Sequence, residues 1–128
     1  ETFLIDWRKD IFDKSEAISY TQICKPYLEA VEEITFNENT YCVIVTPGHE
    51  MDEEVLAAVG RKPTAYTGMI GSRNKIATLR KRFLDEKILT EDELNRVDMP
   101  IGIRFNAITP AEISISILAR LIDVKNTR

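Results

Sequence analysis

Apolar and polar positions alternate along this chain between two periods. Tyr41-Cys42-Val43-Ile44-Val45-Thr46 is an unbroken apolar run of β-formers. Such a run reads as a strand covered on both faces. Shorter runs predict strands at Thr2–Trp7, Ala17–Tyr20 and Thr64–Ile70, with a weaker one at Ile101–Phe105. Between them the spacing turns helical. Tyr27, Leu28, Val31 and Ile34 share one face of a helix over Lys25–Ile34. Asp52 reads as the N-cap of a helix reaching Val59, with two acidic residues in its first turn. Ser72 reads as the cap of a helix to Lys87 with Ile76, Leu79, Phe83 and Leu84 on one side. Thr90-Glu91-Asp92-Glu93 is a capping box opening a short helix to about Val97.

Residues 113–117 alternate Ile-Ser-Ile-Ser-Ile like a strand, but Thr109-Pro110-Ala111-Glu112 precedes them. A Thr cap, Pro in the first turn and Glu at the third position favour a helix. Ile113, Ile117, Leu121 and Val124 then lie on one face. Strands alternating with helices predict an α/β fold with a mostly parallel sheet in three layers. In such folds ligands bind beyond the carboxyl ends of the strands. The segments after Ile5, Val45 and Ile70 are therefore the places to search.

Length and composition narrow the class. The 128 residues suit one domain, with a core large enough to hold without staples. A net charge of −4 gives no reason to invoke nucleic acid or an anionic membrane. No apolar run approaches the roughly 20 residues that span a bilayer. Cys24 and Cys42 have no CxxC spacing and read as reduced core thiols of a cytoplasmic protein.

Three turns carry candidate chemistry. Thr46-Pro47-Gly48-His49-Glu50-Met51-Asp52 leaves the most apolar strand. Its His49 is the chain's one histidine and can take or give a proton near neutral pH. The plainer alternative is a histidine that only ties the loop to itself, and no second ligand has metal-site spacing. Gly68-Met69-Ile70-Gly71-Ser72-Arg73-Asn74-Lys75 also runs from strand through turn to helix. Backbone amides at the Ser72 cap, beside Arg73, suit a phosphate or carboxylate; the alternative is a solvated cap. Asp6-Trp7-Arg8 ends the first strand, where an acid can meet a ribose hydroxyl and Arg8 a phosphate. Nucleotide binding is weakly supported, because no GxGxxG occurs. No Ser-His-Asp, Cys-His or paired-carboxylate arrangement stands out, so no catalytic residue is assigned.

Several blocks together carry a family resemblance. They are Thr46-x-Gly48-His49-x-x-Asp52-x-x-x-Leu56, Gly68-Met69-Ile70-Gly71-Ser72-Arg73-x-Lys75, Pro100-Ile101-Gly102, and Ala107-x-Thr109-Pro110-x-Glu112-Ile113-x-x-Ser116-Ile117-Leu118. In that order they resemble the C-terminal Rossmann-type domain of the XdhC/CoxI family, accessory proteins of xanthine dehydrogenase and related molybdenum hydroxylases. The resemblance covers nearly the whole chain as a single domain, residues 1–128. It implies a protein that binds molybdenum cofactor (molybdopterin) and works with a cysteine desulfurase. The sulfurated cofactor would pass to an apo-xanthine dehydrogenase or a related hydroxylase. That is binding and delivery more than turnover. Asp6, Arg8, Thr46, Gly48, His49, Gly71, Ser72 and Arg73 are the cofactor-binding candidates. The alternative from another class is an NAD(P)-binding oxidoreductase-like domain. The sequence departs from the family's pattern at Asp98, where His is usual, at Arg104-Phe105-Asn106, where an acidic–Ile–Gly stretch is usual, and at Pro47. The first βα unit of the Rossmann order is also expected to be missing. The flanking strands would then expose unpaired edges, filled by another chain or a second copy, so a homo-oligomer is expected.

Overall fold

A computed structural model describes residues 1–13 and 19–128. It divides the chain into two compact units, residues 1–35 and 36–128. Both are α/β, and every strand pair in them is parallel.

In the first unit β1 (Phe3–Ile5) pairs with β2 (Thr21–Ile23), Phe3 lying opposite Thr21. Helix α1 (Lys9–Asp13) follows β1, and α2 (Tyr27–Glu33) follows β2. The sequence did not announce α1. The strand expected at Ala17–Tyr20 lies partly outside the described residues; the pairing strand is Thr21–Ile23. Ala30 and Val31 are the buried residues of α2, while Leu28, expected on the same face, is 47% exposed.

The second unit has a three-stranded sheet in the order β3 (Tyr41–Ile44), β4 (Tyr66–Met69), β5 (Val97–Asp98). Helix α3 (His49–Val59) joins β3 to β4. Helices α4 (Arg73–Asp85) and α5 (Glu91–Asn95) join β4 to β5, and α6 (Pro110–Thr127) ends the chain. The strand foreseen at Ile101–Phe105 is instead Val97–Asp98, because β4 takes Val97 and Asp98 in register with Thr67 and Gly68. Of the later segment only Ile101 touches the ladder, its N–H donating to Met69 O at 2.9 Å.

β4 is buried at every residue. Leu56, Val59, Leu79, Phe83, Leu89 and Leu94 are all but fully buried in the same unit, as is Met69 of β4 itself. On α4 Ile76, Leu79 and Phe83 are buried as expected, whereas Leu84, expected on the same face, is 39% exposed; on α6 Ile113, Ile117, Leu121 and Val124 are half-buried. β3 has β4 on one side and no strand among the described residues on the other. Thr40 O and Ile44 O accept from β4's side. Parallel pairing alternates the direction of successive backbone groups, so those of Tyr41 and Val43 face the free edge.

Gly68 shows how tightly β4 is enclosed. A Cβ there would meet Tyr66 Oη and come within 2.6 Å of Ile101 Cγ1. Neither neighbour has room to retreat, since β4 and Ile101 are buried. Gly68→Ala is therefore expected to lower stability by about 1–3 kcal/mol, the usual cost of overpacking. A urea melt checks this; an unchanged midpoint would show that the strand has slack.

Candidate functional site

The second unit brings two of the three turns to the carboxyl ends of neighbouring strands. Thr46–Gly48 follows β3, and Gly71–Ser72 follows β4. Both open helices, so free N–H groups gather there.

At the first turn the helix starts four residues earlier than the sequence implied. Gly48 is the N-cap of α3, and His49 is its first residue. Asp52 is not a helix cap. Its carboxylate, 3% exposed, folds back to accept from Thr46 N at 2.8 Å and from Thr46 Oγ1 at 2.7 Å. Thr46 Oγ1 also lies 2.8 Å from Gly48 O. Thr46, Gly48 and Asp52 thus form one closed turn that fixes where His49 begins. Burial raises the Asp52 pKa above the ordinary carboxylate value, although both Thr46 bonds oppose that. His49 Nε2 lies 3.1 Å from Glu53 Oε1 one helical turn on. Glu53 in turn pairs with Arg82 of α4. The lone histidine is therefore held in a charged chain that joins α3 to α4. The sequence offered only the His49/Glu53 spacing as a signal; Arg82, on another helix, gave none.

At the second turn Ser72 caps α4 as expected, its Oγ accepting from Lys75 N at 3.2 Å. Ser72 and Arg73 are exposed. The Arg73 guanidinium makes no salt bridge among the described residues. The amides of Arg73 and Asn74 donate to no group in the same set.

Asp6 and Arg8 belong to the first unit and spend their polar groups on each other. Arg8 donates from its N–H and Nε to Asp6 Oδ1, at 2.9 and 3.1 Å, and from a terminal nitrogen to Oδ2 at 3.0 Å. The Arg8 hydrogen bond holds the Asp6 carboxyl below its usual range.

A cluster the sequence did not signal lies on β4, β5 and α6. Asp98 Oδ2 accepts from Tyr66 Oη at 2.6 Å and from Gly102 N at 3.1 Å. Arg120 Nε lies 3.5 Å from the same oxygen, and another Arg120 nitrogen donates to Gly102 O at 3.3 Å. Burial first, and the Asp98 bond second, push the Tyr66 phenol far up, so it stays a donor. A cleft of about 400 Å³ opens at the amino ends of β4 and β5, lined in part by Lys62, Thr64, Thr67 and Arg96. It is at the opposite end of the strands from the turns and contains none of the predicted site residues.

Both cysteines are free thiols, but only Cys42 resembles a core residue. Burial lifts its pKa to about 11, which keeps it protonated and unreactive. Cys24 is exposed, against expectation, with its sulfur 3.7 Å from Trp7 O. Among the described residues no three His, Cys, Asp or Glu side chains gather to hold a metal ion. No helix among them is long and apolar enough to cross a membrane.

Asp52 yields a two-variant test. A raised folded-state pKa means that ionisation costs stability, and that this cost appears as pH rises past the unfolded value near 3.8. Asp52→Asn keeps the acceptor oxygen and removes the charge, so it is expected to be at least as stable as the parent at pH 7. Asp52→Ala removes the acceptor that Thr46 N and Thr46 Oγ1 share and is expected to lose about 1–3 kcal/mol. Thermal melts of both, at pH 4 and 7, check the order.

Comparison with known proteins bears on the family and the fold. Residues 1–121 match the family described as the XdhC Rossmann domain. Uncharacterized protein YqeB of Escherichia coli strain K12 is 36% identical over 97 residues, which are 76% of this chain and 17% of that protein. A solved structure described as a xanthine dehydrogenase from Bacillus halodurans superposes with a TM-score of 0.75 at 24% identity. That alignment covers 99% of this chain and 36% of the other, so this chain spans about a sixth and about a third of the two relatives. The α/β architecture and the match over nearly its whole length place the chain in the family of the XdhC Rossmann domain.

Proposed function

We propose that the chain is the cofactor-handling domain of an accessory protein that matures xanthine dehydrogenase-type molybdenum hydroxylases. Family membership over residues 1–121 is the observation that carries this reading. The molybdenum cofactor, when bound, presents a phosphate or nucleotide anion and a metal centre for transfer. The residues present suit the anion. Ser72 and Arg73 stand exposed at the start of a thirteen-residue helix, with the guanidinium in no ion pair and two amides undonated among the described residues. Those amides and Arg73 would hold the anion. Thr46 and Gly48, locked by Asp52, set the neighbouring wall, and His49 is the proton-active group beside it. In the first unit, taken by itself, Asp6 and Arg8 are weaker candidates, because binding through either would break their mutual pair. The partners of this role are an apo-hydroxylase that receives the cofactor and a cysteine desulfurase that sulfurates it.

Arg73→Ala is expected to weaken retention of molybdenum cofactor by about 1–3 kcal/mol, as for a lost charge-assisted hydrogen bond. Unchanged affinity in a cofactor-retention assay removes the anion seat. His49→Ala is expected to lower activation of the hydroxylase while leaving the melting temperature unchanged. If only the melting temperature falls, His49 serves the α3–α4 charge chain alone.

A further inference from the structure

The cleft at the amino ends of β4 and β5 is unused by the proposed role. Its volume of about 400 Å³ lies within the range of small-molecule pockets. Its charged lining is Lys62, Arg96 and Glu38. Among the described residues neither cation has an ion-pair partner. The Lys62 ammonium rests 5.4 Å from the centre of the Phe36 ring, and Arg96 is exposed. Arg128 donates to Glu38 O at 2.8 Å, so a third guanidinium stands at that rim. In a chain of net charge −4, this is positive charge gathered without partners.

The lining also holds a spare donor. Thr67 is 5% exposed, and its Oγ1 lies 2.9 Å from Thr64 Oγ1. Two hydroxyls carry two protons, and their mutual bond uses one. Neither donates to any other group among the described residues, so one proton is left to give. The plainer task for cations at the end of α3 is to cap its last carbonyls. That task is already done. Leu56 O accepts from Gly60 N at 2.8 Å, and Val59 O from Lys62 N at 2.9 Å.

We propose that this cleft is a second binding site, for a small organic phosphate monoester held by Lys62, Arg96 and the Thr64–Thr67 pair. An ammonium, a guanidinium and a hydroxyl match the three free oxygens of a monoester better than the two of a carboxylate. The cleft is larger than a bare phosphate fills, which leaves room for the organic body. Glu38 repels a second anionic group and so selects a ligand with a single phosphate. The site is at the opposite end of the strands from the turns at Thr46 and Ser72, so its occupancy does not depend on the cofactor reading.

Amide-resolved NMR titration of the 128-residue chain with glycerol 3-phosphate at low salt tests this, with glycerol as the uncharged control. Saturable shifts are expected at Thr64, Thr67 and Arg96 with the phosphate and none with glycerol. Arg96→Gln and Lys62→Met are each expected to raise the dissociation constant by about tenfold, as for one lost charge-assisted contact, with the melting temperature kept. Shifts at Arg73 and Asn74 report the other seat separately, so either site can fail without the other. No saturable shift at the cleft amides overturns the proposal, and so does binding that both variants leave intact.

Discussion

β4 is the element on which the second unit depends. It has a strand on each side and is buried at every residue, so nothing on it can shift without disturbing β3 or β5. Its enclosure rests on Gly68, where the absent Cβ lets Ile101 and Tyr66 close over the strand. Asp98 then pulls the surrounding elements together. One carboxylate oxygen takes the Tyr66 hydroxyl from β4 and the Gly102 amide from the connection, and it faces Arg120 of α6. Gly102 itself adopts φ +96, and a Cβ there would strike Ser116 of α6. A buried strand, a missing side chain and one acceptor oxygen thus set where α6 begins and how it lies. The carboxyl end of the same strand carries Gly71 and Ser72, so core packing and the candidate anion seat share one origin.

How much of this the sequence disclosed follows the range of the forces involved. Ser72, Thr90 and Thr109 cap helices where expected, because a cap is decided within four residues. The Thr109 box outweighed the strand-like alternation of Ile113–Ile117 for the same reason. Strand runs at Tyr41 and Thr64 were legible from their β-formers, but only β4 is enclosed; β3, expected to be covered on both faces, is half-buried except at Ile44. Val97–Asp98 was not legible. Two residues have no periodicity, and Gly68 supplies their register from some thirty positions away. Asp52 misled because an Asp ahead of acidic residues looks like a cap; its actual donors lie upstream on Thr46, a choice only the tertiary turn makes.

The candidate site divides along the same line. Ser72 acts locally and was readable as a cap, whereas Gly48 was readable only as a turn residue and not as the cap of α3. The bond from His49 to Glu53 is local, but its continuation to Arg82 crosses between helices and gave no sequence signal. The exposed outer face of α6, with Ile115, Leu118 and Ile122, was hidden differently. Its residues are as periodic as the inner face, and a helix apolar on two sides offers no internal clue to which side the core takes.

Position 98 joins the fold to the family. The resemblance puts His there in related chains, whereas here Asp98 accepts two hydrogen bonds on one oxygen beside a guanidinium whose Nε has no hydrogen-bond partner. A neutral imidazole offers one acceptor nitrogen and no charge to face Arg120, so it could not hold all three groups. Asp at this position satisfies a demand made by Tyr66, Gly102 and Arg120 together. The departure is thus explained by packing around β4, on strands and a helix that lie apart from the turns at Thr46 and Ser72.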